Sequence, residues 1–376
     1  MTGVDATPSR GRRAAGIDLP FEVRAFQSFV RGLRGVWREE AYSATVAAAR
    51  SAGADRNEVE LERRLRGHPA YELYAWLERH SQQLKYYGRG GIVRYMEAHA
   101  DEAQRLLDAA AACHPERLDL DPAFVVPPYV RDVDTHQHAG GLFAGASAAL
   151  AYEASSTGFS FSLFDARSPM LVYGEEAVRL LGESGGEGRC IVDLGCTIGG
   201  STRALKRALP AAQVIGVDVC GPVLALAHLR SLEQGLEIAY RQRSADALDL
   251  PDAAVDLVAS HWLFHEMPPA AIRRTLREAR RVLRPNGALI VFDMYLRPGG
   301  AIGRWLHAGY AARNNEPFAH TYAEMDIVAE LEAAGFRDTS VRLAHPTPDA
   351  RVAAGELPEA RTHYMTMVTA RAAFAT

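Results

Sequence analysis

A glycine-rich turn between a short apolar strand and a helix is the segment whose residue types and spacing best suit ligand chemistry. Residues 190–194 are Cys-Ile-Val-Asp-Leu, and Gly195 and Gly199 follow in the turn. Glycines at such positions allow the backbone to approach a ligand closely. A second short strand, 214–217, ends at Asp218, whose carboxylate can accept hydrogen bonds from ribose hydroxyls. The pattern predicts a nucleoside site at the carboxyl end of a parallel sheet.

The spacing of the glycines separates two kinds of nucleoside site. A dinucleotide site needs G-x-G-x-x-G, so that a pyrophosphate can lie on the helix N-terminus. Here three residues separate Gly195 from Gly199, and the carboxylate of Asp193 beside the loop would repel a pyrophosphate. These residues suit a ligand that carries an ammonium group and no phosphate. S-adenosylmethionine (SAM) is such a ligand.

Residues 193–199, Asp-Leu-Gly-Cys-Thr-Ile-Gly, resemble the first motif of the class I SAM-dependent methyltransferases in its D-x-G-C-x-x-G form. Further matches follow in the order of that family: Asp246 after a third apolar segment, a fourth strand at 254–261, and a Pro-x-Gly turn within 283–287 before a fifth strand. The resemblance covers roughly residues 165–371. It is specific to the superfamily and not to a substrate.

The resemblance implies an α/β fold with a Rossmann-like, doubly wound, seven-stranded sheet and an additional N-terminal α-helical domain. The alternation of strand and helix in the second half of the chain is typical of a parallel sheet with helices on both faces. We expect the first core helix to begin at Ser201 and to end at Pro210. The family adds a seventh, antiparallel strand, for which residues 362–370 are the candidate.

The resemblance also implies which residues hold SAM. Asp218 would bind the ribose hydroxyls, and Asp246 would accept from the adenine amino group while the next backbone amide serves the ring. The implied cofactor-binding residues are Asp193, Gly195, Cys196, Thr197, Gly199, Asp218, Val219, Ser244, Asp246, Ala247 and His261.

The candidate catalytic residues follow the fourth strand, whose carboxyl end lies nearest the transferred methyl group in this fold. Methyl transfer depends largely on alignment, but a proton must often leave the attacking atom. His265 is the predicted base, because an unperturbed imidazole pKa of ~6.5 suits proton removal near neutrality. Glu266 could orient His265 or titrate itself. The alternative is that His265 only packs against the cofactor.

Two polar segments outside these motifs are candidates for contact with the acceptor. His136 and His138 alternate in a loop, which could instead be a structural loop. A His-x-His pair can bind a metal, but a catalytic site needs about three protein ligands, and we predict no metal here. In the resembled family, the insertion at 295–321 is a lid over the acceptor. The predicted substrate contacts are His136, His138, Trp262, Asn314, Asn315 and Glu316.

The chain of 376 residues is long enough for about two domains. Aromatic residues at helical spacing near the N-terminus predict helices whose apolar faces pack on the core or on a second copy, so we expect a homodimer to be possible. The predicted segments are a disordered tail at 1–18, a helical N-terminal domain at 19–115, a connector with substrate-side loops at 116–164, and a methyltransferase core at 165–376 with a lid at 295–321.

The composition limits the classes of partner that we expect for this protein. A net charge of −4 argues against a surface that reads phosphates, so we expect no nucleic-acid substrate. The sequence lacks the ~18 consecutive apolar residues that a membrane helix needs, and its N-terminus lacks the apolar stretch of a secretory signal. The four cysteines form no C-x-x-C pair, as expected of reduced thiols in a cytoplasmic protein.

We therefore expect a methyltransferase that acts on a small molecule, in bacterial secondary metabolism, with SAM as its cofactor. Three alternatives remain open. The acceptor could be a peptide or a carrier-bound intermediate, which a long groove beside the core would favour. The protein could bind SAM as a sensor without catalysis, which a blocked acceptor pocket would favour. It could also use SAM without methyl transfer.

Overall fold

The computed structural model describes residues 13–14, 17–53, 57–138, 140–159, 169–182, 187–297, 299–345, 356–361 and 365–373. Most of the predicted tail, the end of the predicted connector at 160–164 and the start of the predicted last strand at 362–364 lie outside these residues.

The described strands form one short pair and one large sheet. β1 (Arg13–Ala14) and β2 (Ile17–Asp18) pair with each other. The sheet contains β3 (Leu118–Asp119), β4 (Cys190–Leu194), β5 (Gln213–Asp218), β6 (Ala239–Gln242), β7 (Val255–His261), β8 (Leu283–Asp293), β9 (Phe336–His345) and β10 (Met365–Ala372). Its order is β3-β6-β5-β4-β7-β8-β10-β9. β10 runs antiparallel to both of its neighbours, whereas the other pairs are parallel.

The central strands are buried along their length because helices cover both faces of the sheet. All residues of β7 are buried, and in β4 only Cys190 is partly exposed. Parallel strands buried on both faces read as near-continuous hydrophobic runs. The carboxyl ends of β4, β5 and β7 therefore meet at one edge, between covering layers.

Fifteen α-helices are described. Those of the N-terminal region are α1 (Phe21–Val36), α2 (Tyr42–Ser51), α3 (Glu58–Leu65), α4 (Pro69–Tyr86), α5 (Ile92–Glu97) and α6 (Ala100–Ala112). The others are α7 (Pro128–Arg131), α8 (Ala146–Phe159), α9 (Pro169–Leu181), α10 (Gly200–Ala208), α11 (Gly221–Leu232), α12 (Pro269–Val282), α13 (Gly300–Asn314), α14 (Ala319–Glu324) and α15 (Ile327–Ala333).

Helix α12 illustrates how the sequence builds the layers. It begins with a proline, which fits the first helical position because no intrahelical donor is needed there. Ile272, Leu276 and Ala279 recur at helical spacing and are buried against one face of the sheet with α15. α9 and α10 pack on the opposite face. The doubly wound architecture predicted from the sequence is thus confirmed.

The N-terminal helices share their hydrophobic clusters with the rest of the chain. Trp37 and Tyr74 pack with Trp305 and Leu306 of α13, which belongs to the predicted lid. A second cluster joins the N-terminal helices to α8 and α11, with Met96 among its buried residues. The helices and the lid therefore build one wall over the sheet. A domain boundary at residue 115 stays a prediction.

Several sequence-based expectations need correction. Within the predicted helical domain, residues 92–112 form two helices with a break at Ala98 and His99. The expectation of a tail reaching residue 18 is wrong at Ile17, which is buried in the cluster with α5 and α8. The sheet has an eighth strand, because β3 adds two residues beside β6. The last strand includes the predicted residues 365–370.

The aromatic faces of the N-terminal helices are only partly covered. Trp37 and Tyr74 are fully buried, whereas Phe21, Phe29 and Trp76 are half exposed or more. A homodimer through these helices stays a prediction. No helix in the described ranges is long and apolar enough to cross a membrane.

Candidate active site

The glycine-rich turn after β4 forms the floor of a cavity. Gly195 and Gly199 have φ values of 65° and 72°, in the left-handed region that favours glycine. A Cβ on Gly199 would lie 2.5 Å from the hydroxyl of Tyr240. Thr197 also has a positive φ, of 45°. Gly195, Cys196 and Thr197 line the cavity, whereas Gly199 shapes the turn without reaching it.

Asp193 lies beneath the turn and holds it. Its buried carboxylate accepts hydrogen bonds from the hydroxyls of Ser201 at 2.6 Å, Thr202 at 2.7 Å and Tyr173 at 3.0 Å. Burial raises the pKa of Asp193 to about 6, against the effect of these hydroxyl groups. Asp193 is not among the residues that line the cavity. Its geometry is that of a positioning residue for α10.

Asp218, at the end of β5, presents its carboxylate to the cavity. Its two oxygens accept from the backbone N–H groups of Thr197 and Cys220, each at 2.9 Å. Burial raises the pKa of Asp218 to about 6. Val219 lines the cavity beside it. The ribose-binding carboxylate expected from the sequence therefore lies at the expected edge of the sheet.

The third predicted cofactor segment is turned away from the cavity. The carboxylate of Asp246 accepts hydrogen bonds from Ser244 and, at 2.7 Å, from Arg274 on α12. Neither Asp246 nor its neighbours Ser244 and Ala247 line the cavity, but Ala245 does. Direct contact of these three residues with the cofactor stays a prediction that the geometry does not favour.

The aromatic side chains of His261 and Trp262 lie at the carboxyl end of β7, which is the predicted fourth strand. His261 is buried and lies against Phe292, with ring centroids 5.3 Å apart. Burial lowers the pKa of His261 to about 4, so its ring is neutral at pH 7. Trp262 adopts a positive φ of 58° and donates its indole N–H to the sulfur of Met365. Both residues line the cavity.

His265 is held by Asp293 at the end of β8. Its Nδ1 donates to a carboxylate oxygen of Asp293 at 2.6 Å. Burial opposes charge on the ring, but this carboxylate outweighs burial and raises the pKa of His265 to about 10. The expectation of an unperturbed imidazole pKa is therefore wrong, since the ring is protonated at neutral pH. The other nitrogen, Nε2, lies 3.8 Å from oxygens of both Glu266 and Glu316.

His136 joins three segments that are distant in sequence. Its Nδ1 donates to Glu316 of the lid at 2.9 Å, and its Nε2 lies 3.0 Å from Glu266 after β7. Burial opposes the charge, but these carboxylates raise the pKa of His136 to about 9. Both His136 and Gln137 have positive φ, at 58° and 62°. Glu316 is buried and also accepts from the hydroxyl of Tyr310 at 2.9 Å.

The remaining predicted acceptor residues have different surroundings. His138 is buried and stacks on Tyr86, with centroids 4.4 Å apart, and burial lowers its pKa to about 4. Asn314 donates to the backbone of Tyr310, and Asn315 donates to the backbone of Asp134. His138 lines the cavity, but neither asparagine does. The Asn315 amide therefore links the lid to the connector, whereas the Asn314 bond lies within α13.

The cavity has a volume of about 310 Å³ and extends from the glycine-rich turn to the N-terminal helices. His136, His265 and Glu266 line it, whereas Glu316 supports His136 from behind. The part of the wall that α1, α4 and the connector supply was not predicted from the sequence. Those residues include Arg34, Gln82, Lys85, Tyr86, Tyr129 and Val130. Within the described ranges, no group of three or more His, Cys, Asp or Glu side chains could hold a metal ion.

Comparison with known proteins identifies the family. A family described as a methyltransferase domain matches residues 191–287. The ubiquinone biosynthesis O-methyltransferase of Aeromonas salmonicida is 30% identical over 167 residues, which are 43% of this chain and 68% of that protein. The chain belongs to the class I SAM-dependent methyltransferase superfamily. The matched region contains the turn, Asp218 and His265.

Other relatives match shorter parts of this chain. The demethylmenaquinone methyltransferase of Thermus thermophilus is 36% identical over 113 residues, 30% of this chain, so that the chain spans half the length of that relative. Among solved structures, a SAM-dependent methyltransferase from Aquifex aeolicus is 22% identical, covers 56% of this chain and 91% of its own, and has a TM-score of 0.39.

The residues present fit SAM, the cofactor of the family. Asp218 offers carboxylate oxygens to hydroxyl donors, and Gly195 has no side chain and lines the same cavity. Asp218, Val219 and Ala245 would hold the nucleoside, and the turn at Gly195 and Thr197 would face the amino-acid part.

Proposed function

We propose that this methyltransferase transfers a methyl group to a small molecule enclosed between the sheet edge and the N-terminal helices, in bacterial secondary metabolism and in the cytoplasm. One observation carries the proposal. A single cavity is lined both by Asp218 and Thr197 of the cofactor site and by Arg34 and Lys85 of the helical wall. An enclosed space of this kind suits a small acceptor better than a macromolecular one.

The names of the relatives support oxygen as the accepting atom, since several are O-methyltransferases of ubiquinone biosynthesis. SAM supplies, when bound, a methyl group activated on a sulfonium. The protein must align the acceptor with that group, and such alignment supplies much of the rate. Lys85 of the helical wall and Tyr310 of the lid line the same space.

His265 has a different role from the base expected from an unperturbed ring. Because its pKa is about 10, the protonated ring can donate from Nε2 to an acceptor oxygen and favour the deprotonated acceptor. Asp293 fixes the ring through Nδ1. Glu266 lies at the same end of the cavity, where it holds His136. We propose that His265 and Glu266 together set the charge around the reacting oxygen.

Labelled SAM, incubated with the purified protein and an extract of the host, tests the proposal. We expect a small-molecule product that gains one methyl group by mass. The Asp218→Ala variant is the control for cofactor-dependent labelling. Label in a protein or a carrier-bound species would instead support the peptide or carrier alternative. Tight binding of SAM with no labelled product in any extract fraction would support the sensor alternative.

A further inference from the structure

A short helix of the connector lies at the end of the cavity where the nucleoside of SAM would bind. Helix α7 is a single turn, and Tyr129 is its second residue. Tyr129 lines the same cavity as Asp218 and Ala245. Its ring packs against the core cluster that contains Ala245 and Met267. A large aromatic side chain from outside the core sheet therefore forms part of the nucleoside end.

The backbone around Tyr129 is held by local interactions. Pro127 and Pro128 precede it, and the ring of each proline fixes φ near −65°. The carbonyl of Pro127 accepts from the N–H groups of Val130 at 2.9 Å and Arg131 at 3.0 Å. The fixed φ angles and these hydrogen bonds keep the backbone of Tyr129 in one conformation.

The lid supports the ring of Tyr129. Phe318 contacts it edge to face, with ring centroids 6.2 Å apart and an interplanar angle of 85°. Aromatic pairs prefer such an arrangement. Phe318 does not line the cavity, so it supports Tyr129 from outside the space that a ligand would fill. The connector and the lid together orient this ring.

The charged groups that act on Tyr129 belong to the nucleoside end. Burial raises the pKa of Tyr129 to about 12, and the carboxylates of Asp246 and Asp218 act in the same direction, against Arg274. Asp218 ends β5, and Asp246 follows β6, which is the neighbour of β5 in the sheet. The phenol is uncharged at neutral pH. Its ring is therefore a neutral aromatic surface, of the kind on which nucleobases stack.

We infer that Tyr129 stacks on the adenine ring of SAM, so that the connector completes the cofactor site. Val219 and Ala245 would contact the base from the sheet, and Tyr129 would cover it from the connector. This inference goes beyond the proposed function, because it holds for whichever acceptor is methylated. The same connector carries His136 at the acceptor end, so one segment lines both ends of the cavity.

Calorimetry with S-adenosylhomocysteine and with adenosine tests the inference, because adenosine carries the base without the amino-acid part. We expect Tyr129→Ala to bind both ligands ~5- to 150-fold more weakly than the wild type, as loss of one stacked base contact does. Tyr129→Phe keeps the ring and should bind both ligands like the wild type. Tyr129→Leu keeps apolar bulk without a flat ring, so it should lose most of the affinity and serves if Tyr129→Ala does not fold.

Phe124→Ala is the matched control, because Phe124 is an aromatic residue of the same connector that does not line the cavity. It should keep wild-type affinity for both ligands. Circular dichroism and the unfolding midpoint without ligand establish which variants are folded.

Three results would overturn the inference. The first is wild-type affinity for S-adenosylhomocysteine in folded Tyr129→Ala or Tyr129→Leu. The second is an equal loss of affinity in Tyr129→Ala and Phe124→Ala. The third is a loss for S-adenosylhomocysteine without one for adenosine, which would place Tyr129 at the amino-acid part. A missing methylated product with intact binding of S-adenosylhomocysteine would instead contradict only the proposed function.

Discussion

The two ends of the cavity are built in different ways. At the cofactor end, backbone groups and short side chains from neighbouring stretches carry the site, as Asp218 accepts from the N–H groups of Thr197 and Cys220. At the acceptor end, long charged side chains meet from distant segments, as His136 meets Glu266 and Glu316. The first end is fixed by the sheet, and the second depends on how separate layers pack.

This difference predicts different responses to change. A substitution at the cofactor end should alter affinity for SAM and leave the acceptor end intact. A substitution at the acceptor end should alter turnover or acceptor binding, because its side chains contact each other across layers. The following predictions test that separation.

Deletion of residues 1–115 should have the largest effect. It removes Trp37 and Tyr74 and uncovers Trp305 and Leu306 of α13, so we expect an aggregating or inactive protein. Size-exclusion chromatography and calorimetry with SAM measure the outcome, and deletion of residues 1–12 is the control. A soluble truncated protein with full turnover would show that the acceptor end does not need the helical wall.

His265→Ala should lower turnover at saturating SAM by ~100- to 1,000-fold, as loss of one preorganised donor does. His265→Gln keeps a hydrogen-bond donor without the charge, so its turnover should lie between those of the wild type and His265→Ala. Because the pKa of His265 is about 10, the imidazolium is present below that pH, so wild-type turnover should fall only as pH rises through about 10. Single-turnover rates between pH 6 and 10.5, with the acceptor found in the extract, measure this.

The opposite pH behaviour would restore the role of His265 as a base. In that case, wild-type turnover would rise tenfold per pH unit toward about 10, because only the neutral ring accepts a proton. His265→Ala would then lose that rise. An unchanged turnover in His265→Ala would remove His265 from the mechanism and leave Glu266 as the candidate.

Asp218→Ala should weaken SAM binding by ~10- to 150-fold, since each hydrogen bond to a charged group contributes about 1.5–3 kcal/mol. Asp246→Ala is the matched control at the same sheet edge. Because Asp246 pairs with Arg274 and does not line the cavity, its loss should change the affinity much less. If calorimetry shows an equal loss of SAM affinity in the two variants, Asp246 also belongs to the cofactor site.

The smallest effect should be a pH dependence of SAM affinity at the cofactor end. The pKa of Asp218 is raised to about 6, so its carboxylate form dominates above that pH and is lost below it. SAM affinity should therefore be constant above pH 7 and fall, by at most ~tenfold per unit, as pH drops through 6. Asp218→Asn should lose most of this step, and the remainder belongs to Asp193. A wild-type SAM affinity that does not change between pH 5 and pH 8 would contradict the assignment of Asp218 to the cofactor site.

The sequence predicted the cofactor end because its residues lie close together along the chain. The turn at 193–199 and the carboxylate of Asp218 follow from strand ends and glycine spacing alone. Asp246 shows the limit, since its partner Arg274 lies on a helix that carries no local signal for the contact. The same limit applies to Asp193, whose three hydroxyl partners lie beneath the turn.

The acceptor end could be predicted only in part. His136, His138, His265 and Glu316 were found as polar residues in loops, but their pairing was not, because each contact joins segments that are far apart in sequence. The pKa of His265 depends on Asp293, which ends a different strand. Arg34 and Lys85 were missed because a basic residue on an amphipathic helix normally faces water.

The cluster that joins Trp37 to Trp305 has a consequence for how the chain is made. The N-terminal helices leave the ribosome before α13, which packs on their apolar cluster and is synthesised only after most of the sheet. Domains generally fold as units during synthesis, and exposed apolar surface promotes aggregation. The side of this cluster that packs on Trp305 therefore stays uncovered until α13 has been synthesised.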